Sequence, residues 1–395
     1  MKTPQGNSPA AVGKLRTAVV GLGGMGQGHC ATLREKVPEM ELAAVVDTHA
    51  ETVQRVAAQY GVLGFMDVPA MLSAVRPDAV LVVVPHPLHA AVAVPCLEAG
   101  AHVLCEKPLA ECVSGADRIL QAAEKHHRTL GIMFQERFAP PVAAAIDYVR
   151  SGALGPLVRT LAIIPDFRTQ HYYEASPWRA TWKGEGGGVL VNQAPHDLDI
   201  FVQLAGIPST VWGRTDAHFH RIEVEDCACA MLRYANGANG LLYCSTLEPK
   251  DMQLIEVVGE RGMLSYRHGR VTCATYSEDL RRMSDTSTEV WGRPKVQAVE
   301  LPIRDEPSGH FSVMRNFARH ILLGEPLRCD AASALGSLEL ANAVTLSGAM
   351  RREISLPVPR AEYDRFLEER RASATFQKKT VAHERVTDPR AQQGR

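Results

Sequence analysis

The chain has 395 residues, more than a single hydrophobic core usually serves, so two domains are expected. Its 43 Lys and Arg balance 44 Asp and Glu to a formal net charge of -1, which leaves no electrostatic footprint for nucleic acid. Residues 1–14 are polar and lack the apolar core of a secretory signal, and no run reaches membrane-span length, so a soluble, cytoplasmic protein without a membrane partner is expected. The nine cysteines are scattered and mostly sit in apolar runs, as suits small buried hydrophobes in a reducing compartment. Cys227 and Cys229 have no CxxC partner pair, and no metal site is expected.

Residues 15–21 read as a short β-branched strand that runs directly into Gly21-Leu22-Gly23-Gly24-Met25-Gly26 and then into a helix-compatible stretch. In a strand, Gly loop, helix order, the first two glycines let backbone approach a phosphate pair and the third lets helix pack on strand. A second strand, 41–46, ends at Asp47, where a carboxylate accepts hydrogen bonds from the adenosine ribose. That negative charge repels a ribose phosphate, so NAD is expected rather than NADP. Strands and helices then alternate through the apolar strand at 79–84, as in a buried parallel sheet. Pro85, His86 and His89 follow that strand at its carboxyl end, where they could face the cofactor. The strand at 101–105 delivers Glu106-Lys107-Pro108, and Pro108 restricts Lys107 to extended geometry. A helix at 112–127 and a strand at 130–134 complete six strands, enough for a doubly wound sheet.

Residues 135–141 read as a linker, followed by a helix over 142–151. From Pro156 the chain is strand-rich, with turn signals at Asn236-Gly237 and Arg261-Gly262 that imply a largely antiparallel sheet. Within it lie Trp178-Arg179, the Gly184 to Gly188 loop, and helical spacing over 189–203. On that expected helix Asn192, His196 and Asp199 share a face. Helices follow at 310–323 and 331–350, and the charged segment after Arg360 is expected to form a surface helix and a frayed tail.

Gly21-x-Gly23-x-x-Gly26, Glu106-Lys107-Pro108, and Gly186 to Gly188 with His196 and Asp199 together resemble the Gfo/Idh/MocA family, over roughly residues 15–358. The resemblance implies an α/β fold, with an N-terminal Rossmann doubly wound parallel sheet and a C-terminal α+β domain whose open-faced sheet is mostly antiparallel. The expected division is a flexible start at 1–14, an NAD-binding domain at 15–137, a substrate and oligomerisation domain at 138–358 with a C-terminal helix free to return to the first domain, and a polar tail at 359–395. It further implies cofactor contacts at Gly21, Gly23, Gly24, Met25, Gly26, Asp47, Pro85, His86, His89, Glu106 and Lys107. Lys107, His196 and Asn192 are the implied catalytic residues, and Arg137, Tyr172, Trp178 and Arg179 join them as substrate contacts.

The implied activity is NAD-dependent interconversion of a secondary hydroxyl and a ketone on a monosaccharide, cyclitol or glycoside, by a homo-oligomer. Removing hydride from such an alcohol leaves a carbonyl only if the hydroxyl proton also departs, which histidine can accept and an ammonium can assist. Many relatives carry Asp four residues before the histidine, where this chain has Asn192, which cannot take a proton. Two alternatives stay open from the sequence: a catalytically silent NAD-binding regulator of the same fold, and a reductase of an unsaturated substrate.

Overall fold

The computed structural model describes residues 13–379, and expectations for 1–12 and 380–395 fall outside them. The first domain alternates β1 (Leu15–Val20), α1 (Gly24–Lys36), β2 (Met40–Val46), α2 (Ala50–Tyr60), β3 (Leu63–Phe65), α3 (Val68–Val75), β4 (Ala79–Val82), α4 (His89–Glu98), β5 (His102–Cys105), α5 (Val113–Lys125) and β6 (Leu130–Ile132). These six strands form one parallel sheet in the order β3-β2-β1-β4-β5-β6. Every residue of β4 is buried, because helices cover both faces of the sheet; that is why it reads as an unbroken apolar run. The strand order reverses between β1 and β4, opening a crevice at their carboxyl ends.

The second domain begins with α6 (Pro140–Arg150), β7 (Leu157–Pro165), α7 (Gln170–Glu174) and α8 (Pro195–Ala205). There follow β8 (Thr210–Asp216), β9 (Cys227–Arg233), β10 (Asn239–Ser245), β11 (Leu254–Gly259), β12 (Gly262–Arg267), β13 (Arg270–Tyr276), α9 (Leu280–Thr286) and β14 (Val296–Val299). The last elements among the described residues are α10 (His310–Leu323), α11 (Ala331–Met350), β15 (Ile354–Ser355) and α12 (Arg360–Ala372). Nine strands make one sheet in the order β14-β13-β12-β11-β7-β10-β9-β8-β15, in which only β7 and β10 run parallel. Side chains alternate across it: Ala228, Ala230 and Leu232 of β9 point into the core, while Cys229 and Met231 are exposed. Helices α8 and α11 cover the inner face. Helix α11 also stitches the two domains, since Asn342 Oδ1 accepts from Val113 N at 3.0 Å and Cys329 O, two residues before it, accepts from Ile132 N at 2.9 Å.

Four local expectations change. The segment read as a linker is a short 3-10 turn, Gln135–Phe138, and α6 starts at Pro140, whose fixed φ and missing N–H suit a first helical turn. The helix expected from Val189 begins only at Pro195. Strand β8 stops at Asp216, short of the His220 to which the strand-like run from Thr210 extends in sequence, because the Asp226 carboxylate takes the backbone N–H groups of His218, Phe219 and His220 at 2.7, 2.9 and 2.9 Å. Finally, α12 is docked rather than loose. Tyr363, Phe366 and Leu367 are buried, Arg360 pairs with Asp117 at 2.8 Å, and Ser114 Oγ donates to Asp364 at 2.5 Å.

Candidate functional site

At the crevice, the glycine loop meets its steric demands residue by residue. A Cβ on Gly26 would lie 1.8 Å from Gly21 O, and one on Gly21 would lie 2.4 Å from Val83 O, so both positions need glycine for packing. Gly23 differs: a Cβ there would meet nothing within 4 Å, its backbone is extended, and it precedes an α1 N-terminus that no side chain caps. Unpaired N–H groups facing open space at a helix N-terminus fit an anionic pyrophosphate. Gly24 and Met25 form the first turn of α1. Asp47 closes β2, accepting from Leu22 N at 2.7 Å and from His49 N at 3.0 Å, which leaves each oxygen a further lone pair for ribose hydroxyls. The cap of α2 is His49, not Asp47.

Lys107 follows β5 through a cis peptide to Pro108. Its Nζ donates to Asn192 O at 2.8 Å, joining the end of the first sheet to the second domain. Its backbone N donates to Glu106 Oε2 at 3.1 Å, and Glu106 Oε1 lies 2.7 Å from His29 Nε2 on α1. The His29 and His310 rings stand 5.2 Å apart, so α1, the β5 end and α10 meet here. Burial would raise the Glu106 carboxyl, but the His29 hydrogen bond with the nearby His29, His310 and Lys107 charges holds it at about 2. Burial pushes Lys107 below the ordinary lysine range; Glu106 opposes this, and Arg168 and Arg179 reinforce it.

His196 lies in the first turn of α8, after Pro195, and is half-buried, with its ring edge-on to Phe134 at 5.7 Å. Burial, and then the Lys107 charge, hold it well below the ordinary histidine range, so it is neutral at physiological pH and has a lone pair for a proton. Nε2 lies 3.4 Å from Gln135 Nε2, and Nδ1 has no partner among the described residues.

Asn192 does not share a helix with His196. It lies in the turn after Gly188, with its N–H on Gly188 O at 3.0 Å. A Cβ on Gly188 would lie 1.9 Å from Glu225 O, so the glycine permits this tight approach. The Asn192 amide Nδ2 donates to Glu185 Oε1, and Glu185 Oε2 accepts from Ala180 N at 2.6 Å. Glu185 is fully buried, and burial pushes its carboxyl up to about 7.

Among the expected wall residues, Tyr172, Trp178 and Arg179 gather on the same side. The Arg179 guanidinium sits 4.2 Å over the Tyr172 ring and 5.1 Å from that of Trp178, and Tyr172 OH accepts from Gln193 Nε2 at 3.2 Å. Trp178 meets the buried ring of His86 at 5.5 Å, and His86 lies beside Pro85 after β4. Tyr173 is a core residue, with its OH on Thr246 Oγ1 at 2.8 Å.

The structure does not bring Arg137 or Asp199 into this cluster, and it sets His89 behind His86, ring edge to ring at 5.8 Å. Arg137 is buried and grips Asp199 through two bonds of 2.7 and 2.5 Å, while also donating to Arg328 O and Ser333 Oγ. A guanidinium so engaged serves as a brace between the 3-10 turn, α8 and the start of α11. His89 is sealed between Pro108 O at 2.8 Å and Val84 O at 2.9 Å, fixing the turn after Lys107 against the end of β4. Sequence reasoning missed His29, His310, Gln135, Glu185 and the Asp166–Arg168 pair, whose bonds are 2.7 Å. Only Glu185, an acid inside a glycine run, carried a local signal. Among the described residues no group of three or more His, Cys, Asp and Glu could hold a metal ion, and no helix is long and apolar enough to cross a membrane.

A glycine-loop crevice, a half-buried lysine at its edge and a neutral histidine supplied by a second domain are the features of a two-domain NAD-binding oxidoreductase family. Residues 15–134 match the model described as oxidoreductase family, NAD-binding Rossmann fold, and residues 142–265 match the GFO/IDH/MocA C-terminal domain. The chain therefore belongs to the Gfo/Idh/MocA family. It is 32% identical to D-glucoside 3-dehydrogenase of Escherichia coli over 53% of this chain and 58% of that protein. It is 29% identical to inositol 2-dehydrogenase of Rubrobacter xylanophilus over 63% of this chain and 70% of that one. The chain thus spans about three fifths of the length of the first of these relatives. Among solved structures, the WlbA dehydrogenase of Bordetella pertussis in complex with NADH and UDP-GlcNAcA superposes with a TM-score of 0.73 at 26% identity, covering 87% of this chain and 99% of that one.

Proposed function

We propose that this protein is an NAD-dependent dehydrogenase that interconverts a secondary hydroxyl and a ketone on a monosaccharide, cyclitol or glycoside. The observation that carries the reading is the Lys107 ammonium, held by Asn192 O at the carboxyl end of β5, with its charge acting on a neutral His196. NAD bound on Gly21, Gly23, Gly24, Met25, Gly26 and Asp47 supplies a hydride acceptor in oxidation and a donor in reduction. The chain's own residues handle the proton. His196 accepts it from the hydroxyl, and Lys107 stabilises the alkoxide character that develops as the proton leaves. Tyr172, Trp178, Arg179 and Gln193 wall the pocket, with aromatic faces for the ring and donors for its hydroxyls. NAD is the preferred cofactor over NADP because Asp47 puts a carboxylate where a ribose phosphate would sit.

The outer face of the nine-stranded sheet supports a homo-oligomer. Trp212, Met231 and Leu241 are each more than half exposed and are neighbours across β8, β9 and β10, an apolar stripe that a second copy would cover. The cysteines are free, which fits a reducing compartment.

The test is reduction of NAD by a panel of sugars, inositols and glycosides. Turnover with at least one polyol is expected. Cofactor binding without any turnover would contradict the reading and favour a silent NAD-binding regulator.

A further inference from the structure

We infer that Glu185 is the positioning residue that makes Asn192 a hydrogen-bond acceptor toward substrate, so that the Glu185–Asn192 pair takes the place of a carboxylate at 192. This role presupposes the dehydrogenase reading. An ionised carboxylate only accepts hydrogen bonds, whereas a carboxamide has a donating end and an accepting end. With Glu185 Oε1 buried against the Asn192 side chain, the amide must turn Nδ2 toward it. Oδ1, at the opposite end of the planar amide, is thereby aimed the other way. The Asn192 backbone O is the acceptor of Lys107 Nζ, so the same residue fixes the ammonium and offers an oxygen to the hydroxyl beside it.

The other Glu185 contacts keep the carboxylate still. Oε2 takes Ala180 N, in the turn that carries Trp178 and Arg179, and its backbone O faces His86 Nδ1 at 3.3 Å. One buried side chain therefore ties the pocket wall to the turn bearing Asn192, and its backbone ties both to the loop after β4. Burial raises the carboxyl most, the Ala180 and Asn192 bonds and the Arg179 charge lower it, and Glu225 raises it; Tyr173 and Lys378 also feel its charge. Above neutrality the acceptor-only form prevails.

The test is a donor and acceptor exchange assayed at pH 8. Glu185→Gln leaves a neutral amide facing a neutral amide, and Asn192 can then present either end. Asn192→Asp alone sets two carboxylates against each other in a buried site. The double variant Glu185→Gln with Asn192→Asp reverses the bond, with Gln donating and Asp accepting, and again turns an oxygen to the substrate. With a polyol that the wild type oxidises, kcat is expected to fall about tenfold or more in Glu185→Gln with KM for NAD unchanged, to fall further in Asn192→Asp, and to recover to within a few-fold in the double variant. A purely structural role would give Tm losses that track activity and no rescue of kcat, which would overturn the inference while leaving the dehydrogenase reading intact. If the wild type oxidises no polyol, the reading itself fails, and Tm still decides the pairing. Asn192→Asp should lose several degrees that the double variant regains; equal losses in the two would refute the contact.

Discussion

Lys107 Nζ and Asn192 O lie 2.8 Å apart, and this one bond spans the two domains. A lysine at the end of a parallel strand would otherwise be a surface cation. Here it is half-buried, below its ordinary pKa, and within electrostatic reach of a neutral histidine.

Replacing Gly23 separates cofactor binding from folding. A methyl group at this position meets nothing within 4 Å, so Gly23→Ala should keep its Tm within a degree or two while losing at least tenfold in NAD affinity by titration. Gly26→Ala should instead lose stability itself, because its Cβ would sit 1.8 Å from Gly21 O.

Asp47→Ala removes the acceptor of Leu22 N and, on the proposed reading, the charge that would repel a ribose phosphate. The lost hydrogen bond should cost about 1 kcal/mol in urea unfolding. The ratio of NADP to NAD affinity should rise at least tenfold, as measured by binding of each cofactor.

Acid sensitivity follows from His310. Burial, with His29 beside it, lowers this imidazole from 6.5 to about 4. The unfolded chain therefore binds more protons between those values, so the contribution is present above pH 6.5 and is lost as pH falls through about 4. The loss is on the order of 3 kcal/mol for such a depression. Unfolding free energies at pH 7 and pH 4.5 should differ less in His310→Gln than in the wild type.

Phe366 anchors α12 with its ring 5.5 Å from that of Trp182. Phe366→Ala should lower stability by about 3 kcal/mol or more, from transfer and cavity terms together. A helix that was only a loose surface extension would show almost no change in Tm.

The parts of this account legible in the sequence are those set by local chemistry. The Gly21 to Gly26 loop, Asp47 at a strand end and Glu106-Lys107-Pro108 each announce their setting through spacing, and the six-stranded sheet follows from apolar runs buried on both faces. In sequence Asn192 falls on the helical spacing because Val189 to Val191 continue the apolar pattern of α8 backward. Pro195 opens that helix, and the Gly188 turn comes first. Arg137 was read as a pocket wall because nothing near it in sequence foretells Asp199, 62 residues on. His29 and Glu106, 77 residues apart, meet for the same reason. Such pairs are decided by tertiary packing, which leaves no local trace.

The most direct measurement is kcat of Lys107→Met beside the wild type, with an oxidised polyol and saturating NAD. The expected result is a fall of about a thousandfold or more with unchanged NAD affinity and no more loss of Tm than the missing Asn192 O bond accounts for, since an aliphatic chain of similar length fills the space but carries no charge. A variant that keeps kcat within a few-fold of the wild type would contradict the role given to Lys107, and with it the central claim.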